Sequence, residues 1–134
     1  MKNVIIILAI TVISFTAISF TDGIVTKTNI PGGNNPAFSI PDNVQTIIDN
    51  SCYGCHNSDS KSTKGKMKLR FDKMPNMKTG KLVGKLSKIR KTITKGKMPP
   101  KKILAEHPEM ALTKEEASIM TTWANDVIKE LSGE

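Results

Sequence analysis

Ser51-Cys52-Tyr53-Gly54-Cys55-His56 is the stretch on which the reading of the whole chain turns. Two thiols three residues apart can each add to one vinyl group of a haem, forming thioethers, while the adjacent imidazole is placed beneath the iron. Covalent attachment and ligation then come from five residues. Three other uses of the pair compete. A thioredoxin-like redox site also carries C-x-x-C, but at the end of a strand in a βαβ setting, and this sequence shows no strand alternation. A structural zinc site reaches four ligands only if Cys52, Cys55 and His56 are joined by His107, the one other histidine. A disulfide across so short a loop constrains little.

Composition points the same way. The chain has 134 residues, 38% of them hydrophobic and 24% charged, enough for one small domain with attachments and too few for a multidomain enzyme. Of the apolar residues, 14 fall within 1–20, which leaves the remainder thinly supplied. One Trp, one Tyr and four Phe furnish little of the large buried surface that dominates small cores. A bound group is expected to complete the centre.

Residues 1–20 read as an address. Lys2 precedes an uncharged apolar run over residues 4–20, which fits an export signal peptide or an N-terminal membrane anchor. Ala17-Ile18-Ser19 resembles a small-x-small cleavage site, favouring removal after Ser19. Either outcome delivers the rest of the chain to a periplasmic or other extracytoplasmic location, with membrane association through residues 4–20 if the anchor is kept. Residues 21–40, rich in Pro, Gly and Asn, read as a flexible linker, and residues 41–134 as the domain.

Within the domain the apolar spacing is helical. Val44, Ile47 and Ile48 share a face that runs into the cysteine motif; Leu82, Leu86, Ile89 and Ile93 form a second stripe ended by Gly96. Thr113 and Glu116 make a capping-box pattern ahead of a third stripe, Met120, Trp123, Ala124, Val127, Ile128 and Leu131. The expected class is all-α, with three or four short helices and long loops. Residues 61–102 hold 16 of the 20 Lys and Arg and one acid, Asp72, a local charge of +15; residues 103–134 carry −5.

A haem with one His ligand leaves a sixth position. Met98 follows the Gly96 stop and precedes Pro99 and Pro100, which end any helix and hold the chain in a stiff extended form suited to presenting a thioether. His107 competes, and so do Met67, Met74 and Met77 in the Lys-rich loop, whereas Met120 belongs to a helix stripe.

These residues carry a resemblance. The run Met98-Pro99-Pro100, then His107-Pro108-Glu109, Ala111-Leu112-Thr113 and Trp123-Ala124, with Lys68-Leu69-Arg70-Phe71-Asp72-Lys73 ahead of them, resembles the haem-binding domain family of small bacterial monohaem c-type cytochromes over residues 41–131. The resemblance implies one covalent haem c on Cys52 and Cys55, His56 as proximal and Met98 as distal ligand, and a class I cytochrome c-like fold wrapped around the haem. It also implies that Trp123 packs beside the haem and the first helix.

With both axial positions filled, the expected role is one-electron transfer by a protein that is not an enzyme; the alternative is a haem-based sensor or peroxidase-like enzyme with a labile sixth ligand. Few residues supply distal acid-base chemistry, since His107 is the only other His and Arg70 and Arg90 the only Arg. The basic belt lacks interleaved aromatics beyond Phe71, so no nucleic acid is expected. An acidic redox protein is the expected partner, met by a monomer.

Overall fold

The computed structural model describes Asn35 and residues 38–134. The signal or anchor reading of residues 1–20, and most of the linker reading of 21–40, lie outside these. Among the described residues no helix is long and apolar enough to cross a membrane.

The architecture is all-α, consistent with a cytochrome-like fold. Five α-helices, one or two more than the periodicity predicts, follow in the order α1 Asp42–Ser51, α2 Thr63–Lys68, α3 Thr79–Thr94, α4 Lys101–Glu106 and α5 Lys114–Ser132, with 3-10 helices over Phe71–Asn76 and Pro108–Met110. The three stripes read from spacing are α1, α3 and α5. Val44, Ile47 and Ile48 of α1, Leu82, Leu86 and Ile89 of α3, and Met120, Trp123, Ala124 and Val127 of α5 are buried in one cluster. Helix α3 packs extensively on α5, and α1 packs on the same helix, so α5 is the spine that α1 and α3 share.

Local chemistry sets the ends. Thr113 Oγ1 accepts from the Glu116 N–H while the Glu116 carboxylate accepts from the Thr113 N–H, satisfying two otherwise orphaned donors of α5. Helix α3 stops at Thr94 because Gly96 adopts φ +58°, a left-handed conformation that glycine takes without a Cβ penalty.

Two parts of the sequence reading change. Asn35, Phe38 and Ile40, assigned to the linker, are buried. Asn35 donates to the Met77 carbonyl at 2.5 Å and accepts from Thr79 Oγ1 at 2.9 Å, latching this segment to the start of α3. Trp123 stacks at a tilt on Phe38, with ring centroids 6.2 Å apart, and donates from Nε1 to the Ser39 carbonyl at 3.0 Å. Trp123→Phe should remove that bond and leave a part-buried carbonyl without its donor, lowering stability by about 1–2 kcal/mol and the melting temperature by roughly 5–15 °C. Thermal melts followed by circular dichroism check this; an unchanged midpoint counts against the latch.

Candidate haem site

The last turn of α1 delivers the cysteine motif. Cys52 and Tyr53 both donate backbone N–H groups to the Ile48 carbonyl, and Cys55 and His56 donate to the Cys52 carbonyl, so the motif is a tight turn continuous with the helix. Ser60 secures it from the far side: its hydroxyl, on a buried side chain, donates to the Gly54 carbonyl at 2.8 Å and accepts from the Ser62 N–H at 3.0 Å. Ser62 in turn caps α2 by accepting from the Gly65 N–H.

Helix α2 then presses on the motif. A Cβ built on Gly65 would sit 2.2 Å from the Cys55 carbonyl oxygen, so only glycine permits this approach. The same approach fixes His56. Its Nδ1 lies 3.0 Å from the Gly65 carbonyl oxygen and 3.4 Å from that of Leu69. Both neighbours are acceptors only, so Nδ1 must carry the proton, which leaves the Nε2 lone pair for a metal. A backbone carbonyl that holds a ligating imidazole in one tautomer and orientation is a recurrent support of metal sites. The main chain of His56 is pinned as well, accepting from the Phe71 N–H at 2.9 Å.

The cysteines are not joined to each other. Burial pushes the Cys52 thiol up to about 11, with the neighbouring Cys55 adding to the effect. A redox-active pair needs a lowered thiol, so this environment disfavours the thioredoxin-like alternative. Zinc is disfavoured too. Among the described residues no group of three or more His, Cys, Asp or Glu is placed to hold a metal ion, and the side chain of His107 is exposed, with Nδ1 3.0 Å from Glu109 Oε1.

Two cavities of about 520 and 480 Å³ flank the motif and share Cys52, His56, Lys68, Ile93 and Met98 on their walls. Each is within the usual range for cofactor sites, about 300–1,000 Å³. The first adds Cys55, Pro99, Pro100 and Met110; the second adds Phe71, Ile89 and Met120. Cys52, His56 and Met98 are thus brought together on both cavities, and Cys55 on the first. His107 lines neither. Met74 and Met77, two of the sequence alternatives, are buried in the core and line neither cavity, while Met67 reaches the second. Trp123 also lines neither: it packs on Phe38 and Ser39, ahead of α1, and Met120 is the α5 residue that faces the second cavity.

A paired thiol motif, an imidazole in the metal-ready tautomer and two largely apolar cavities that His56 lines in common fit a haem. A family model described as a haem-binding domain matches residues 59–126. The chain belongs to the haem-binding domain family. The match takes in 68 of its 134 residues, beginning just after the cysteine motif and including Met98 and most of α5. No curated protein and no solved structure matches the chain.

Sequence reasoning missed Gly65, Ser60 and the carbonyls of Gly65 and Leu69 as supports of the haem site. Gly65 stands between Lys64 and Lys66, and nothing in that spacing distinguishes a glycine required by a close approach from one in a loop.

Proposed function

We propose that this haem-binding protein is an extracytoplasmic one-electron carrier, holding a single haem c through thioethers from Cys52 and Cys55 with His56 and Met98 as axial ligands. The observation that carries the reading is the His56 tautomer, fixed by the Gly65 carbonyl, with Met98 on both cavities that His56 and Cys52 line. When bound, the haem supplies an iron that cycles between ferric and ferrous states. The chain does the rest. Cys52 and Cys55 fix the macrocycle, Gly65 and Leu69 aim the imidazole, and Ile93, Phe71 and Met120 keep water from the cavity walls.

Two filled axial positions leave no site for a substrate, which favours electron transfer over sensing or peroxidase chemistry. The apolar segment at residues 4–20 supports export, the setting in which covalent haem is made. The partner is an acidic redox protein, drawn by the +15 belt of residues 61–102.

The test is maturation with cytochrome c assembly machinery, followed by a pyridine haemochrome spectrum and haem-stained denaturing electrophoresis. The haem should stay with the chain through acid-acetone extraction, and the Cys52→Ala, Cys55→Ala double variant should retain none. Complete extraction from the unmutated protein would remove the covalent reading.

A further inference from the structure

Asp72 is the one acid among the 16 bases of residues 61–102, and neither cavity wall includes it. Its side chain, 23% exposed, stands in the first turn of the 3-10 helix Phe71–Asn76. Both carboxylate oxygens reach back to the chain just past His56: Oδ1 accepts from the Ser58 N–H at 3.1 Å, and Oδ2 accepts from the Ser58 hydroxyl. One residue earlier, the Phe71 N–H donates to the His56 carbonyl at 2.9 Å. The segment from Gly65 to Asp72 thus holds His56 from two directions, with the Gly65 and Leu69 carbonyls on the ring and Phe71 and Asp72 on the main chain. All of these contacts but those of Asp72 are made by the segment's backbone. Lys73 Nζ lies 3.8 Å from Asp72 Oδ2 on an exposed side chain, a weak pair beside two hydrogen bonds to an ionised acceptor.

We propose that Asp72 is a positioning residue for His56: its two bonds to Ser58 clamp the Gly65–Asp72 segment to the chain beyond the histidine and so keep the Gly65 and Leu69 carbonyls over Nδ1. This rests on His56 as the proximal ligand. The Leu69 N–H donates to the Gly65 carbonyl at 3.0 Å, so the two carbonyls that face the ring belong to one turn and move together. The bond from Phe71 to His56 ties that turn at a single point, about which it can still rotate; a second tie two residues along the chain removes the rotation. With the carbonyls in place, the Nδ1–H bond fixes the ring plane and raises the donor strength of Nε2. Asparagine at position 72 keeps both ties, its Oδ1 accepting from the Ser58 N–H and its Nδ2 donating to the Ser58 oxygen, whereas alanine keeps neither. The two substitutions remove the same charge, so the difference between them is the clamp.

The experiment follows the exchange of the His56 Nδ1–H proton with solvent by NMR, on the matured and reduced protein under carbon monoxide. The ferrous iron is then diamagnetic whether Met98 or carbon monoxide holds the sixth position. Exchange should be slow in the unmutated protein and faster by about tenfold or more in Asp72→Ala. Asp72→Asn should exchange like the parent. Ser58→Ala, which loses the hydroxyl and keeps the N–H, should speed exchange by a smaller factor, and it carries the test if Asp72→Ala does not fold. Asp59→Ala is the control, an exposed carboxylate removed from the same turn, and should match the parent. Exchange in Asp72→Ala or Ser58→Ala no faster than in the parent overturns the proposal. So does equally fast exchange in Asp72→Ala and Asp72→Asn, since the charge and not the pair of bonds is then the cause. The carbon-bound ring protons of His56 report separately on the ligand reading. If the macrocycle's ring current leaves them unshifted in the unmutated protein, His56 is not on the iron, while the exchange contrast still decides the clamp.

Discussion

Gly65→Ala is expected to lower the stability of the matured protein by about 3 kcal/mol or more, and its melting temperature by roughly 12–24 °C. The added methyl would lie 2.2 Å from the Cys55 carbonyl oxygen and 3.0 Å from the carbonyl carbon, so backbone has to move, not the end of a flexible side chain. Moving α2 away lengthens the bond from His56 Nδ1 to the Gly65 carbonyl, and moving the motif instead disturbs the turn in which Cys55 and His56 donate to Cys52. Either relaxation reaches the imidazole. Haem incorporation should therefore fall along with stability. Gly80→Ala is the control, because nothing stands within 4 Å of a Cβ at that position, and replacing an exposed helical glycine by alanine stabilises by about 0.5–1 kcal/mol. Equal melting temperatures and equal haem yield for Gly65→Ala and the parent would refute the close-approach argument.

Met98→Ala should abolish the near-infrared charge-transfer band of the ferric protein completely, open the ferrous iron to one carbon monoxide per haem, and lower the reduction potential. His107→Ala should change none of these, since the His107 side chain faces Glu109 at the end of α4 and lines neither cavity. Met67 and Met110 each line one of the two cavities that Met98 lines in common with His56. A band that survives Met98→Ala and disappears in Met67→Ala or Met110→Ala would reassign the ligand.

What the sequence makes legible follows from where apolar side chains are regularly spaced. Helices α1, α3 and α5 bury faces at helical period, so Ile48, Leu86 and Val127 announce them. Helices α2 and α4 are six residues each and bury no hydrophobic side chain; α2 owes its start to the Ser62 cap, and α4 follows directly from Pro100. Neither has a stripe to read. Phe38 and Ile40 were hidden because they follow a Pro- and Gly-rich run, and Met74 and Met77 because lysines surround them, although all four are core residues. In the site, the cysteine motif and the rigid Met98-Pro99-Pro100 segment are visible as residue types in a pattern. The groups that orient His56 are backbone carbonyls, which have no side-chain signature at all.

The dependence of the core on α5 also sets an order of events in time. A chain made from its N-terminus presents Cys52 and Cys55 long before Met120, Trp123, Ala124 and Val127 exist to meet α1 and α3. Until that last helix docks, contacts that bury Ile48 and Leu82 are missing, and Cys52, which packs against the same cluster, is less covered than in the finished fold. The non-local closure that completes the fold is slow compared with local helix formation. On the covalent reading proposed above, placing the spine at the end of the chain leaves the flank of Cys52 that meets α5's cluster uncovered for longest, while its cavity side stays accessible in the folded protein.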